Sequence, residues 1–151
     1  MNSGIEYIKH NEQLFGIIIR SDYSQDGISF FSPGNFSQQL GYMNRPGGYT
    51  IPPHIHNPVI RQVELTQEVL IIKTGKIRVD FYDNERIYLE SRIISKGDLI
   101  LLAHGGHGFE ILEPSEIIEV KQGPYCGDQD KVRFEQVNVS NIKINGEEPA
   151  F

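Results

Sequence analysis

Four of the five histidines fall into two close pairs, His54 with His56 and His104 with His107. Residues two apart on a strand point to the same face. His54-Ile55-His56 is therefore expected to present two imidazoles side by side, with Ile55 turned the other way. Imidazole nitrogens suit Zn, Cu, Fe and Ni, and two histidines with a carboxylate make a familiar Fe(II) site. Without a metal the same pair can move protons, because imidazole titrates near neutral pH. A carboxylate and a further histidine must come from elsewhere. Glu68 opens the apolar run to Lys73, and His107 follows the apolar run after Gly97. On its own an HxH pair is weak evidence, since exposed or hydrogen-bonded histidine pairs are common.

The elements that must position these residues read as strands. The 151 residues suit one domain, residues 1–151. There are 21 Ile and 15 aromatic residues but only two Ala, Ala103 and Ala150. Ala is the best helix former, whereas Ile and aromatics suit a pleated, half-buried surface. Strands are expected at Leu14–Arg20, Ile28–Phe31 and Leu40–Asn44. Tyr49–His56 contains Pro52-Pro53 and is expected as an edge or irregular strand. Asn57–Thr66 reads as a loop. Glu68–Lys73 and Lys76–Tyr82 flank Thr74-Gly75, which predicts a hairpin. Further strands are expected at Arg86–Ser95, Leu99–Leu102, Phe109–Leu112 and Glu116–Lys121, with a break at Glu113-Pro114-Ser115. Phe134–Val139 and Ile142–Asn145 are candidate peripheral strands. Short strands at turn spacing predict an all-β sandwich or barrel.

Charge narrows the partners. Fourteen Lys and Arg against twenty Asp and Glu give a net charge of -6, which argues against nucleic acid and anionic membranes. No apolar run approaches the ~18 residues of a membrane span. The start lacks the basic and apolar regions of a secretory signal, and the single Cys126 cannot form an internal disulfide, so a cytoplasmic location is expected.

The spacing of these residues resembles the cupin superfamily. The first cupin motif is Gly, five residues, His-x-His, a spacer, Glu, six residues, Gly; Gly48, His54, His56, Glu68 and Gly75 follow that order. The second is Gly, five residues, Pro-x-Gly, two residues, His, three residues, Asn; Gly97 and Ala103-His104-Gly105-Gly106-His107 approximate it. The resemblance covers about residues 40–121. It implies a double-stranded β-helix, or jelly roll, holding a divalent transition metal (Zn, Ni, Fe, Mn or Cu) through His54, His56, Glu68 and His107. This chain departs from the pattern in three places. Eleven residues separate His56 from Glu68, which leaves Glu64 as a competing ligand. Ala103 stands for the Pro and His107 comes one residue early, which leaves His104 as a competitor. Ile111 takes the final Asn position.

More loosely, Gly41 to Pro58 and Lys76 to Asp83 resemble small cupins of bacterial sugar-nucleotide and surface-polysaccharide metabolism. Three functions then compete: a metal-dependent isomerase, epimerase or oxygenase; a metal-free sugar isomerase with His54 and His56 as acid and base; and a non-catalytic metal- or sugar-binding module. A small polar molecule is the expected ligand. Tyr49, Arg61, Gln62 and Tyr125 are candidates for a pocket mouth, since Tyr and Arg suit sugar hydroxyls and phosphates. Arg78 and Asp80 share a strand face and are expected to pair. Edge strands and the Ile-rich surface, including the N-terminal strands, suggest a homodimer.

Overall fold

The computed structural model describes residues 4–146. Strands make up 45% of it and helix 5%. The strands are β1 (Ile5–His10), β2 (Gln13–Ile19), β3 (Gly27–Phe30), β4 (Gly41–Asn44), β5 (Glu68–Tyr82), β6 (Tyr88–Ser95), β7 (Leu99–Leu102) and β8 (Gly106–Lys121). β3 and β4 form a separate hairpin. The other six make one antiparallel sheet, curled into a half-barrel. None of the helices among the described residues is long and apolar enough to cross a membrane.

β5 organises the sheet. β8 runs along one of its edges, while β7 and β6 lie end to end along the other. The register forces the curl. Glu68, at one end of β5, pairs with Leu102; Tyr82, at the other end, pairs with Gly106. From Leu102 to Gly106 the chain can reach only ~14 Å, so the two ends of β5 lie within ~25 Å once pairing distances are added. A straight strand over the same residues would span ~46 Å.

The bend falls at Thr74–Lys76, where the β5–β8 register shifts. The expected hairpin at Thr74-Gly75 is therefore corrected: one strand passes through. Gly75 has φ +84°, and a Cβ there would run into Ser115 and Pro114. The expected break at Glu113-Pro114-Ser115 is likewise a bend inside β8, facing Gly75. On the other edge Lys96-Gly97-Asp98 bridges β6 to β7 at the same level, with Gly97 N–H donating to Ile72 O at 2.8 Å. The signals read as turns mark one line along which neighbouring strands bend together.

The bulge also changes which side chains face inward. Leu70 and Ile72 are buried before it; Ile77, Val79 and Phe81 are buried after it. An extra residue reverses the even–odd alternation of a strand. These side chains pack with Ile8, Phe15, Ile18, Ile94, Ile100 and Leu102 in the main core. Ile17, Ile19, Leu40 and Leu101 form a second cluster.

Arg78 and Asp80 pair as expected, with Nε to Oδ1 at 2.7 Å. Asp80 is fully buried and also accepts from Ser91 Oγ at 2.5 Å. Burial pushes its carboxyl up, but the hydrogen bonds from Arg78 and Ser91 outweigh that and hold it below its usual value.

Three other expectations are corrected. Tyr49–His56 is not a strand: residues 45–67 form a long irregular arm. Phe134–Val139 and Ile142–Asn145 are not strands: a 3-10 turn, Val139–Asn141, joins the two segments, and Ile144 makes a single bridge to Ser91. The N-terminal strand β1, which carried little apolar signal, pairs with β2 through Asn11-Glu12, both at positive φ as a two-residue hairpin turn requires.

Candidate functional site

A cavity of about 1110 Å³ opens where β7 hands over to β8. That is slightly above the ~300–1,000 Å³ of common small-molecule sites. Glu68, at the start of β5, and His107, at the start of β8, face each other on its wall. Glu68 Oε2 and His107 Nε2 are 3.2 Å apart. Glu68 is nearly buried, whereas the His107 side chain keeps 28% of its exposure. The hydrogen bond from His107 holds the Glu68 carboxyl below its ordinary value despite burial, and Lys121 and Lys131 add to the effect. Glu68 is thus ionised at neutral pH.

An ionised carboxylate only accepts hydrogen bonds. A neutral His107 therefore places its hydrogen on Nε2, toward Glu68, and leaves Nδ1 as a free acceptor. His104 shares the cavity but is held differently: Nδ1 bonds to Leu14 O at 2.9 Å, and its ring stands edge-on to Phe36.

Two aromatic residues, Tyr82 and Phe134, also line the cavity. Tyr82 is buried, and its hydroxyl accepts from Val137 N–H at 3.0 Å. Burial raises its pKa. Phe134 stands edge-on to Tyr82 with centroids 5.0 Å apart. A Cβ at Gly106 would sit 2.8 Å from the Phe134 ring, so a glycine is needed for this approach. The segment carrying Phe134 is tied at its start by Asp130, which accepts from Thr66 Oγ1 at 2.5 Å.

No protein-family model, curated protein or solved structure matches this chain.

The proposed ligands are brought together only in part. Glu68 and His107 meet. His54 and His56 lie on the exposed arm, their rings edge-on with centroids 5.3 Å apart, and His54 Nδ1 bonds to Pro52 O. Neither lines the cavity. Glu64 does, and it accepts from Gln62 Nε2 at 3.0 Å. Among the described residues, no group of three or more His, Cys, Asp or Glu side chains is placed to hold a metal ion. The present arrangement thus offers a two-residue carboxylate–imidazole pair and not the four-ligand set that the resemblance implies.

Of the pocket candidates, Arg61 lines the cavity, while Tyr49, Gln62 and Tyr125 do not. Tyr49 lies beneath the Arg45 guanidinium, and Tyr125 is largely exposed. Sequence reasoning missed Tyr82 and Phe134. Tyr82 reads as an ordinary strand residue, and Phe134 falls where the strand signal fades.

Proposed function

We propose that this chain is a jelly-roll protein of the cupin type that binds a small polar, sugar-type molecule and moves a proton on it, as in isomerisation or epimerisation. The observation behind the proposal is the Glu68–His107 pair on the wall of a ligand-sized cavity. His107 Nδ1 takes a proton from a carbon next to a carbonyl, the Glu68 carboxylate stabilises the resulting imidazolium, and the same nitrogen returns the proton to carbon. Such a positioned base contributes ~10²–10⁴-fold to rate. The base is therefore assigned to His107 rather than to His54 and His56. Phe134, half-buried on the cavity wall, offers an apolar ring face for a sugar or base ring, and the buried Tyr82 supports it edge-on. Arg61, Lys131 and Arg133 offer cations for phosphate or carboxylate.

The test is solvent exchange. The protein is incubated in D2O with nucleotide-linked keto sugars, and proton NMR follows the C–H signals beside the carbonyl. Loss of one such signal supports the proposal. Saturable binding with no exchange identifies a binding module instead.

A further inference from the structure

His104 enters the cavity wall from the connection between β7 and β8, two residues after Leu102, the ladder partner of Glu68. The backbone on either side of it is held. Ala103 is buried, and its N–H donates to Phe15 O at 2.9 Å. Gly105 passes so close to Tyr82 O and the Phe15 ring that a Cβ would run into both.

The ring is held as well. Nδ1 lies 2.9 Å from Leu14 O, and Phe36 stands edge-on with centroids 5.4 Å apart. A carbonyl oxygen can only accept, so Nδ1 carries a hydrogen in every protonation state. In the neutral ring the other nitrogen, Nε2, is then a bare acceptor. Nε2 has no hydrogen-bond partner among the described residues and is not buried. Since the ring lines the cavity, that acceptor is left open to it.

His107 takes the opposite tautomer, with its hydrogen on Nε2 toward Glu68 and Nδ1 bare. The Glu68 carboxylate only accepts. All three side chains therefore offer acceptors. The cationic donors of the cavity, Arg61, Lys131 and Arg133, are carried by the arm root and the C-terminal segment instead. A hydroxyl beside His104 can donate to Nε2, whereas a carbonyl oxygen in the same place would meet a lone pair.

We infer that His104 is a specificity-determining residue, whose Nε2 accepts a hydrogen bond from a hydroxyl of the bound sugar. This assignment rests on the reading of the cavity as a site for a small polar molecule, and not on proton transfer by His107. A site built to bond a hydroxyl rejects the analogue lacking it, because its own polar atom is left unpaired.

The test is calorimetry on the native protein, His104→Asn and His104→Gln. The probes are the nucleotide-linked keto sugars of the exchange experiment and their analogues lacking one hydroxyl each. His104→Asn keeps an amide N–H for Leu14 O but removes the atom at Nε2. His104→Gln, one carbon longer, returns an amide to the Nε2 position. The native protein is expected to bind one deoxy analogue about tenfold more weakly than its parent. His104→Asn is expected to bind the two alike, and His104→Gln to recover part of the discrimination. Nitrogen-15 NMR of histidine-labelled native protein at about pH 8.5, above the ordinary imidazole range, is expected to show the His104 hydrogen on Nδ1. Its Nε2 signal is expected to move with the parent sugar and not with that analogue. A hydrogen on Nε2 of His104, a native protein that binds every deoxy analogue as tightly as its parent, or equal discrimination by His104→Asn each overturns the assignment. Discrimination as expected but without deuterium exchange supports it and removes the proton-transfer reading alone. No saturable binding overturns both.

Discussion

Glu68 and His107 touch at 3.2 Å although, in the β5–β8 ladder, His107 stands opposite Phe81, thirteen positions along β5 from Glu68. The curl of the sheet closes that gap. Bending β5 at Gly75 brings its two ends to one cavity, so the fold itself assembles the pair.

Acid stability reports on this contact. The carboxyl of Glu68 is lower in the folded protein than its ordinary value of 4.5, chiefly through the His107 hydrogen bond. A depressed carboxyl contributes stability that is present above the unfolded value and lost as pH falls through the folded one. The native protein should lose stability more steeply below pH 4.5 than Glu68→Gln does. Denaturant melts of both at neutral and acidic pH give the comparison.

The bend depends on Gly75. Gly75→Ala combines positive φ with a Cβ driven into Ser115 and Pro114. A loss of about 2 kcal/mol or more is expected. Gly127→Ala has a similar φ, +66°, but meets open space, so it should cost about 1–2 kcal/mol from the backbone alone. Urea unfolding of the two variants separates the contact from the conformation.

The buried ion pair is specific to its partner. Arg78→Met leaves Asp80 fully buried with its main cation gone, at a cost of about 3–5 kcal/mol. Arg78→Met with Asp80→Leu should recover much of that loss, since an apolar pair often replaces a buried ion pair without penalty. Chemical denaturation of the single and double variants checks both outcomes.

The mostly-β character was legible in the Ile excess, and β7 was placed to the residue. The pairing of Arg78 with Asp80 followed from their two-residue spacing. What misled was Thr74-Gly75 and Glu113-Pro114-Ser115: the same residues serve a turn and a sheet bend, and only the strand opposite distinguishes them. The meeting of Glu68 with His107 depends on curvature, which no local pattern encodes. Phe134 reaches the cavity through packing against Gly106 and Tyr82, a long-range fit that leaves no periodic trace.

The central claim is that His107 is the base and Glu68 orients it. The direct measurement is the rate of deuterium exchange at the carbon beside the carbonyl of a nucleotide-linked keto sugar, by proton NMR, for the native protein, His107→Gln, Glu68→Gln and His54→Ala/His56→Ala. The account predicts exchange by the native protein, a loss of ~10²–10⁴-fold in His107→Gln, a smaller loss in Glu68→Gln, and little change in the arm variant. Exchange that survives His107→Gln but disappears with the arm histidines would contradict it.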